Sequence, residues 1–233
     1  EYPVTMMLSR DGYLKKMTDR VLRKATTLKY KDGDEPFIEF PSSNTHELLV
    51  FTDQRQVYKC KVAQFEDTKS AQLGSYLPTD LGMDPDESVT WVIDPEDYKA
   101  DVLFVFENGR VARVALAGYV TKTNRKRLKN AIYGGSKLLF ATVLKEDRDL
   151  ALVSSDQRLI NFNTSLLKTK TTNSTQGVLA FTAKNGRIVT MVGTAEEFLG
   201  GTASVEKFRA ASLPSSGSPM KETDMKSLFD LEE

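Results

Sequence analysis

One pattern recurs four times along this chain at a period of about 50 residues: two runs of alternating apolar residues around a tight turn. The clearest copy is Val102 to Leu116, VLFVFENGRVARVAL. Val102, Phe104 and Phe106 alternate, Glu107-Asn108-Gly109 turns the chain, and Val111 and Val114 lead a second strand with Arg110 and Arg113 between. Alternation on both sides of Asn-Gly is the strongest short-range hairpin signal. Earlier copies read TMMLSRDGYLKKM, with Gly12 at the turn, and LLVFTDQRQVYKCKV, with Arg55 in the glycine's place. The last reads LALVSSDQRLINFNT, with Arg158 there and the same Asp-Gln-Arg as the second. Strand-built repeats of this length point to blades of a propeller or an array.

Between the hairpins lie polar connections and one or two further strands, so each repeat holds about four strands. Strands are expected at Phe37 to Phe40, Val89 to Ile93, Leu138 to Leu144 and Val178 to Thr182, with another apolar run around Leu77. Helical periodicity is nearly absent before residue 195, and 195–211 has room for a short helix. Residues 1–200 are therefore expected to form one all-β domain. Residues 201–233 are expected to be an extension, with a flexible linker at 212–219 (SLPSSGSP) and an acidic tail. In that tail Met225, Leu228 and Phe229 fall at helical spacing, among Glu222, Asp224, Asp230, Glu232 and Glu233.

A chain of 233 residues can bury a large core as one domain or two. No apolar run approaches the roughly 20 residues of a membrane span, and EYPVTMML lacks the features of a signal peptide. It also lacks an initiator Met, so the chain is expected to be a piece of a longer one. Cys60 is the only cysteine, which rules out an internal disulfide and fits a cytoplasmic protein. Cys60 is read as an ordinary strand residue, and His46, the only histidine, as a loop residue before a strand.

Net charge is zero, yet the charges are segregated. Seven basic residues lie between Gly12 and Lys31 against Asp19 alone. Val120 to Thr142 holds six and no acid, and Gln157 to Ala195 holds five and no acid. Nine acids crowd residues 80–107 against Lys99. In repeats 1, 3 and 4 the basic stretch follows the hairpin at the same place, so stacked repeats would place these stretches on one rim. That is the electrostatic footprint of a phosphate-backbone binder. The candidate DNA-contacting residues of the first repeat are Lys15, Lys16, Arg20, Arg23 and Lys24, and of the second Lys59 and Lys61. The third adds Arg110, Arg113, Lys122, Arg125, Lys126, Arg127 and Lys129, and the fourth Lys168 and Lys170. Few aromatics accompany them, so stacking on single strands is not indicated, and no recognition helix is evident. Sequence-independent contact with duplex phosphates is the expectation. A propeller that scaffolds protein partners is the alternative, and steep salt dependence separates the two.

No Walker loop, dinucleotide fingerprint, zinc-protease motif or nucleophile elbow occurs. The stretches DPDES and DPEDY lack calcium-loop spacing. The domain is therefore expected to hold no catalytic residue, metal or cofactor.

The ordered motifs carry a resemblance. VTMMLSRDGYLKKM followed by SSNTHELLVFTDQRQVYKCKV resembles the opening of the C-terminal domain of the bacterial type IIA topoisomerase A subunit, shared by DNA gyrase and topoisomerase IV. AQLGSYLPTDLGMDPDESVTWVI, where a glycine precedes a strand, is similar to a further segment of that family. So is the last repeat with its threonine-rich, glycine-ended loop TKTTNSTQG. Over residues 3–195 the resemblance implies a β-pinwheel, a propeller-like disc of about four four-stranded blades that exchange strands. The function it implies is binding and bending duplex DNA for an ATP-dependent isomerase. ATP, Mg, the tyrosine nucleophile, the rest of the A subunit and the ATPase B subunit would then lie outside this chain, with the isolated domain a monomer. Gyrase carries a basic glycine-rich box after its first hairpin, on which wrapping depends. Here that region reads RVLRKATTLKYKDGD, which resembles the topoisomerase IV branch.

Overall fold

The computed structural model describes residues 1–201 and 203–226. The first repeat forms β1 (Pro3–Ser9) and β2 (Tyr13–Met17), a short helix α1 (Asp19–Lys24), and β3 (Pro36–Ser43). The second forms β4 (Glu47–Thr52), β5 (Val57–Lys61), β6 (Ser75–Tyr76) and β7 (Val89–Ile93). The third forms β8 (Asp101–Phe106), β9 (Arg110–Ala115), β10 (Arg127–Leu128) and β11 (Leu138–Leu144). The fourth forms β12 (Asp149–Ser154), β13 (Arg158–Asn163), β14 (Val178–Leu179) and β15 (Val189–Gly193), followed by β16 (Ser218–Pro219). The apolar run at Leu77 is a helical turn (Leu77–Asp80) rather than a strand, and another turn sits at Ala195–Phe198.

These strands make four antiparallel four-stranded sheets, ordered β3-β1-β2-β6, β10-β5-β4-β7, β11-β8-β9-β14 and β15-β12-β13-β16. Each sheet takes its hairpin and long return strand from one repeat. In the first three sheets the fourth, two-residue strand comes from the chain that follows the next hairpin, so strands are exchanged; in the fourth sheet it is β16, which follows β15. Two compact units result. One is Glu1–Ala100 with Tyr119–Gly134, and the other is Asp101–Gly118 with the chain from Gly135 onward.

The first strand of each later hairpin is buried on both faces. Leu48 to Phe51, Val102 to Phe106 and Leu150 to Val153 are all buried, as is expected of near-continuous apolar runs. Alternation had marked only one face of β8; Leu103 and Val105 on the other face pack with Leu152, Ile160 and Phe162. In the first unit Met6, Leu8 and Leu14 share a core with Leu48, Val50, Tyr58 and Val92.

Each hairpin turns through a left-handed residue, at Gly12, Arg55, Gly109 and Gln157, with φ of 95°, 59°, 87° and 59°. In the fourth repeat this residue is Gln157, and Arg158 already begins β13. The shared Asp-Gln-Arg had aligned the two turns one residue out of step.

The two-residue strands dock against β2, β5, β9 and β13. The residue before the docking strand is Gly74 in the first sheet and Gly177 in the third, both at positive φ. A Cβ on Gly177 would lie 2.0 Å from the Val111 carbonyl oxygen, and one on Gly74 2.4 Å from that of Leu14. Only glycine satisfies both the backbone and the approach.

The stretch expected as a flexible linker is instead part of the fourth sheet. Ser218 and Pro219 pair with Leu159 and Arg158, and Met220 is buried behind them. The start of the acidic tail is also tied down. Lys226 N–H donates to the Phe198 carbonyl, Gly200 N–H donates to the Asp224 carbonyl, and the Asp224 carboxylate pairs with Lys207 at 2.7 Å. Leu228, Phe229, Asp230, Glu232 and Glu233 lie outside the described residues.

Candidate nucleic-acid interface

The candidate cations divide into two classes. One class points inward from the hairpins. Lys15 is 1% exposed, and its ammonium donates to the Gln72 carbonyl; burial lowers its pKa. Lys16 is also buried, donating to the Phe65 carbonyl at 3.1 Å and pairing with Asp67 at 3.2 Å. Lys59 donates to the Tyr119 carbonyl at 3.1 Å and the Thr121 hydroxyl at 3.3 Å, and pairs with Glu47 at 3.2 Å. Arg110 donates to the Gly177 carbonyl at 3.5 Å. Arg113 is held between Asp101 and Asp147, and Arg127 by Asp84 and Gln56. These six were expected at phosphates. The structure gives each of them a protein partner: five lie on hairpin strands, which face neighbours on both sides, and Arg127 lies on β10 against β5.

Four of these contacts share one geometry. Lys15, Lys59, Arg110 and, in the fourth sheet, Arg158 each reach a backbone carbonyl of the incoming segment that delivers the two-residue strand. Arg158 bonds both Ser216 and Gly217, at 2.8 and 2.7 Å. A charged donor is well suited to satisfy carbonyls of a segment that makes few ladder bonds.

The other class is exposed. Arg20, Arg23 and Lys24 lie on α1, which buries no residue. Lys61 ends β5, and Lys122, Arg125, Lys126 and Lys129 line the segment around β10. Lys168 and Lys170 follow β13, in the second unit. Among the described residues none of these ten has an ion-pair partner within 4.0 Å.

Strand exchange moves the densest basic segment. Residues 119–134 follow the third hairpin in sequence, but β10 completes the second sheet, with Arg127 opposite Tyr58 and Leu128 opposite Val57. Tyr119 anchors the segment. Its buried ring meets Phe51 edge-on at 5.9 Å, and its hydroxyl donates to the Ala131 carbonyl at 2.8 Å. Arg125 and Lys126 thereby join Lys61 on one cleft of about 680 Å³ within the first unit. Thr121, Gln64, Tyr98 and Val120 complete its wall.

The cleft is electropositive. Among the described residues its only lining carboxylate is Glu47, which pairs with Lys59 and accepts from the Tyr98 hydroxyl, whereas Lys61, Arg125 and Lys126 make no ion pair within 4.0 Å. Burial, and then the bond to Glu47, pushes the Tyr98 phenol far up, so it stays a neutral donor. Tyr98 holds a left-handed φ of 60°, uncommon for an aromatic residue. Sequence reasoning did not single out Tyr98 or Thr121, since only the fold brings residues 47, 59, 98 and 121 together. Cys60, read as a plain strand residue, is buried with its thiol pushed up to about 12 by desolvation. His46 does more than occupy a loop: its Nδ1 lies 2.6 Å from the buried Asp94 carboxylate, which also accepts from the Ser42 hydroxyl. No helix of the described residues is long and apolar enough to cross a membrane.

No protein-family model matches the sequence. Over 129 residues, 54% of this chain and 16% of the relative, it is 27% identical to the A subunit of DNA topoisomerase 4 of Bacillus subtilis. Over 170 residues, 70% of this chain, it is 23% identical to the corresponding subunit of Staphylococcus epidermidis, spanning 21% of it. The chain thus matches only a fraction of these relatives' length. In structure it resembles the C-terminal domain of DNA topoisomerase IV, with a TM-score of 0.73 at 19% identity over 96% of this chain and 75% of that one. It also resembles the E. coli ParC C-terminal domain (TM-score 0.69, 15% identity, 96% of both chains). The C-terminal domain of DNA gyrase A gives a TM-score of 0.62 at 17% identity, over 96% of this chain and 80% of that one. The resemblance read from the motifs therefore holds in both sequence and fold, and the blades are those of a β-pinwheel.

Proposed function

We propose that this chain is the C-terminal DNA-binding domain of a type IIA topoisomerase A subunit of the topoisomerase IV kind. On this reading it binds and bends duplex DNA through the phosphate backbone, and it is not itself catalytic. The observation that carries the proposal is the cleft of the first unit, where Lys61, Arg125 and Lys126 stand exposed and unpaired. Unpaired, hydrated cations on an ordered surface are what phosphate contact with counterion release needs. The sequence and structural relatives support the same reading. The parent enzyme would supply the breakage-reunion core, the ATPase B subunit, ATP and Mg, and would work in the cytoplasm.

The test is the salt dependence of duplex binding. Changing Lys122, Arg125 and Lys126 together to Ala should weaken binding to all sequences alike. It should also flatten the plot of log affinity against log salt by about 2–3 units, at roughly 0.9 per phosphate contact. Arg127 is left intact because Asp84 and Gln56 hold it. An unchanged slope would remove this segment from the interface, and salt-independent binding would favour the protein-scaffold alternative.

A further inference from the structure

We infer that Lys59 is a positioning residue for DNA binding: its buried ammonium fixes the start of segment 119–126, whose end its backbone amide holds, so that Lys122, Arg125 and Lys126 are presented together. The inference rests on the DNA-binding reading above. Its basis is a set of contacts from one side chain and one amide. The Lys59 side chain is 9% exposed. Its ammonium bonds the Tyr119 carbonyl and the Thr121 hydroxyl at the start of the segment. Its backbone N–H donates to the Lys126 carbonyl at 2.8 Å, at the segment's end. One residue therefore pins both ends of the loop.

Between those ends the backbone has little else to hold it. The bonds within the loop are those of Arg125 N–H and the Thr121 hydroxyl, both to the Thr123 carbonyl. Lys122, Arg125 and Lys126 are exposed on it. An ammonium that already serves a carbonyl, a hydroxyl and the Glu47 carboxylate has used its three donors and has none left for a phosphate. The Tyr98 ring lies 5.2 Å from the Lys59 nitrogen and closes the remaining side. The charge thus acts on DNA through the loop, by reducing the disorder that binding would otherwise have to remove.

The experiment combines duplex affinity with trypsin cleavage of the free chain. Lys59→Met keeps the apolar stem and removes the donor. It should weaken duplex binding about tenfold, the scale expected for losing a charged hydrogen-bond set. Cleavage after Lys122, Arg125 and Lys126 should speed up while the rest of the chain stays resistant. Lys59→Arg should return most of the affinity. In a chain already carrying Ala at 122, 125 and 126, Lys59→Met should have no further effect on binding, because a positioning residue acts only through the groups it positions. Equal losses in both backgrounds, or unchanged cleavage of the loop, would mean that Lys59 meets phosphate itself and would overturn the inference. Should Lys59→Met lose the native circular dichroism, Thr121→Val carries the test. It removes one acceptor at the loop, and wild-type affinity and cleavage in it would overturn the clamp. A wild-type chain that fails to bind duplex DNA would overturn the reading beneath the inference, and is distinguishable because loop cleavage in Lys59→Met would still respond.

Discussion

Lysine and arginine in this chain do two jobs that look alike in composition. An inward cation such as Lys15 or Arg113 satisfies carbonyls and carboxylates in buried or half-buried places, where leaving either partner alone is costly. An exposed one such as Arg125 has no ion-pair partner among the described residues and stays available. The inward class has measurable consequences at single residues. Arg187 binds Asp156 through both carboxylate oxygens at 2.8–3.0 Å, and the Ser154 hydroxyl adds a further bond. The Arg187 contact, then the Ser154 bond, brings the Asp156 pKa down to about 2. A carboxyl whose pKa is depressed by folding adds stability above its unfolded value near 4 and loses it as pH falls toward the folded one. Asp156→Asn should therefore melt at a lower temperature than the parent at pH 7. That gap should close between about pH 4 and pH 2, and thermal melts across that range check it. A gap that persists at pH 2 would show that the ion pair is not its source.

The hairpin and the exchanged strand are the working elements. Hairpin strands need no help from sequence neighbours, because their long apolar runs are buried on both faces. The two-residue strands make few ladder bonds. They depend on a charged clamp and on close approach of the backbone. In the third sheet the approach is closest at Gly177, where φ is 65° and the space for a Cβ is filled by the Val111 carbonyl. Gly177→Ala should lose about 1–3 kcal/mol in urea unfolding, from left-handed strain plus overpacking. Faster hydrogen exchange should appear at Ala180 N–H, which donates to the Gly109 carbonyl beside the docked strand. A neutral result would mean that β14 can shift outward without cost. The second sheet departs from this pattern, since Lys126 stands before β10 where the first and third sheets have glycine. There the Lys59 backbone N–H holds the carbonyl of Lys126, and its ammonium holds Tyr119 and Thr121 further upstream.

The formal charge of the entire chain is zero, so attraction to DNA must come from local surfaces rather than from a net field. The first unit holds the cleft and α1, the second Lys168 and Lys170. Residues Arg23 to Lys31 contain no glycine, and α1 starts that stretch. Beyond α1 the backbone is tied down, with Lys29 N–H donating to the Ser70 carbonyl at 2.9 Å. A loop without glycines, fixed in this way, cannot lie as close to a phosphate as a glycine-rich one. This domain should therefore induce little writhe when relaxed plasmid is closed by a nicking-closing enzyme in its presence. Strong, stoichiometric positive writhe would show that another segment takes the glycine-rich loop's place.

Hairpins, their spacing and the all-β class were legible because each follows from local chemistry. Period-2 apolar runs and turn residues act over a few positions and need no partner. The glycines before the docking strands were visible as letters, with their reason hidden in an approach to a strand distant in sequence. The basic stretches were legible as charge, but their assignment was not. Whether Lys59 or Lys126 faces solvent depends on which neighbour its strand acquires, and strand exchange gives β10 to the second sheet, one hairpin earlier than its sequence position suggests. The same holds for 212–219, whose serines and prolines read as a tether until β13 offers them an open edge. Local pattern sets which segments become strands, because backbone geometry and side-chain alternation are properties of the segment. Pairing sets which charges remain free, because burial and partner are properties of the neighbour.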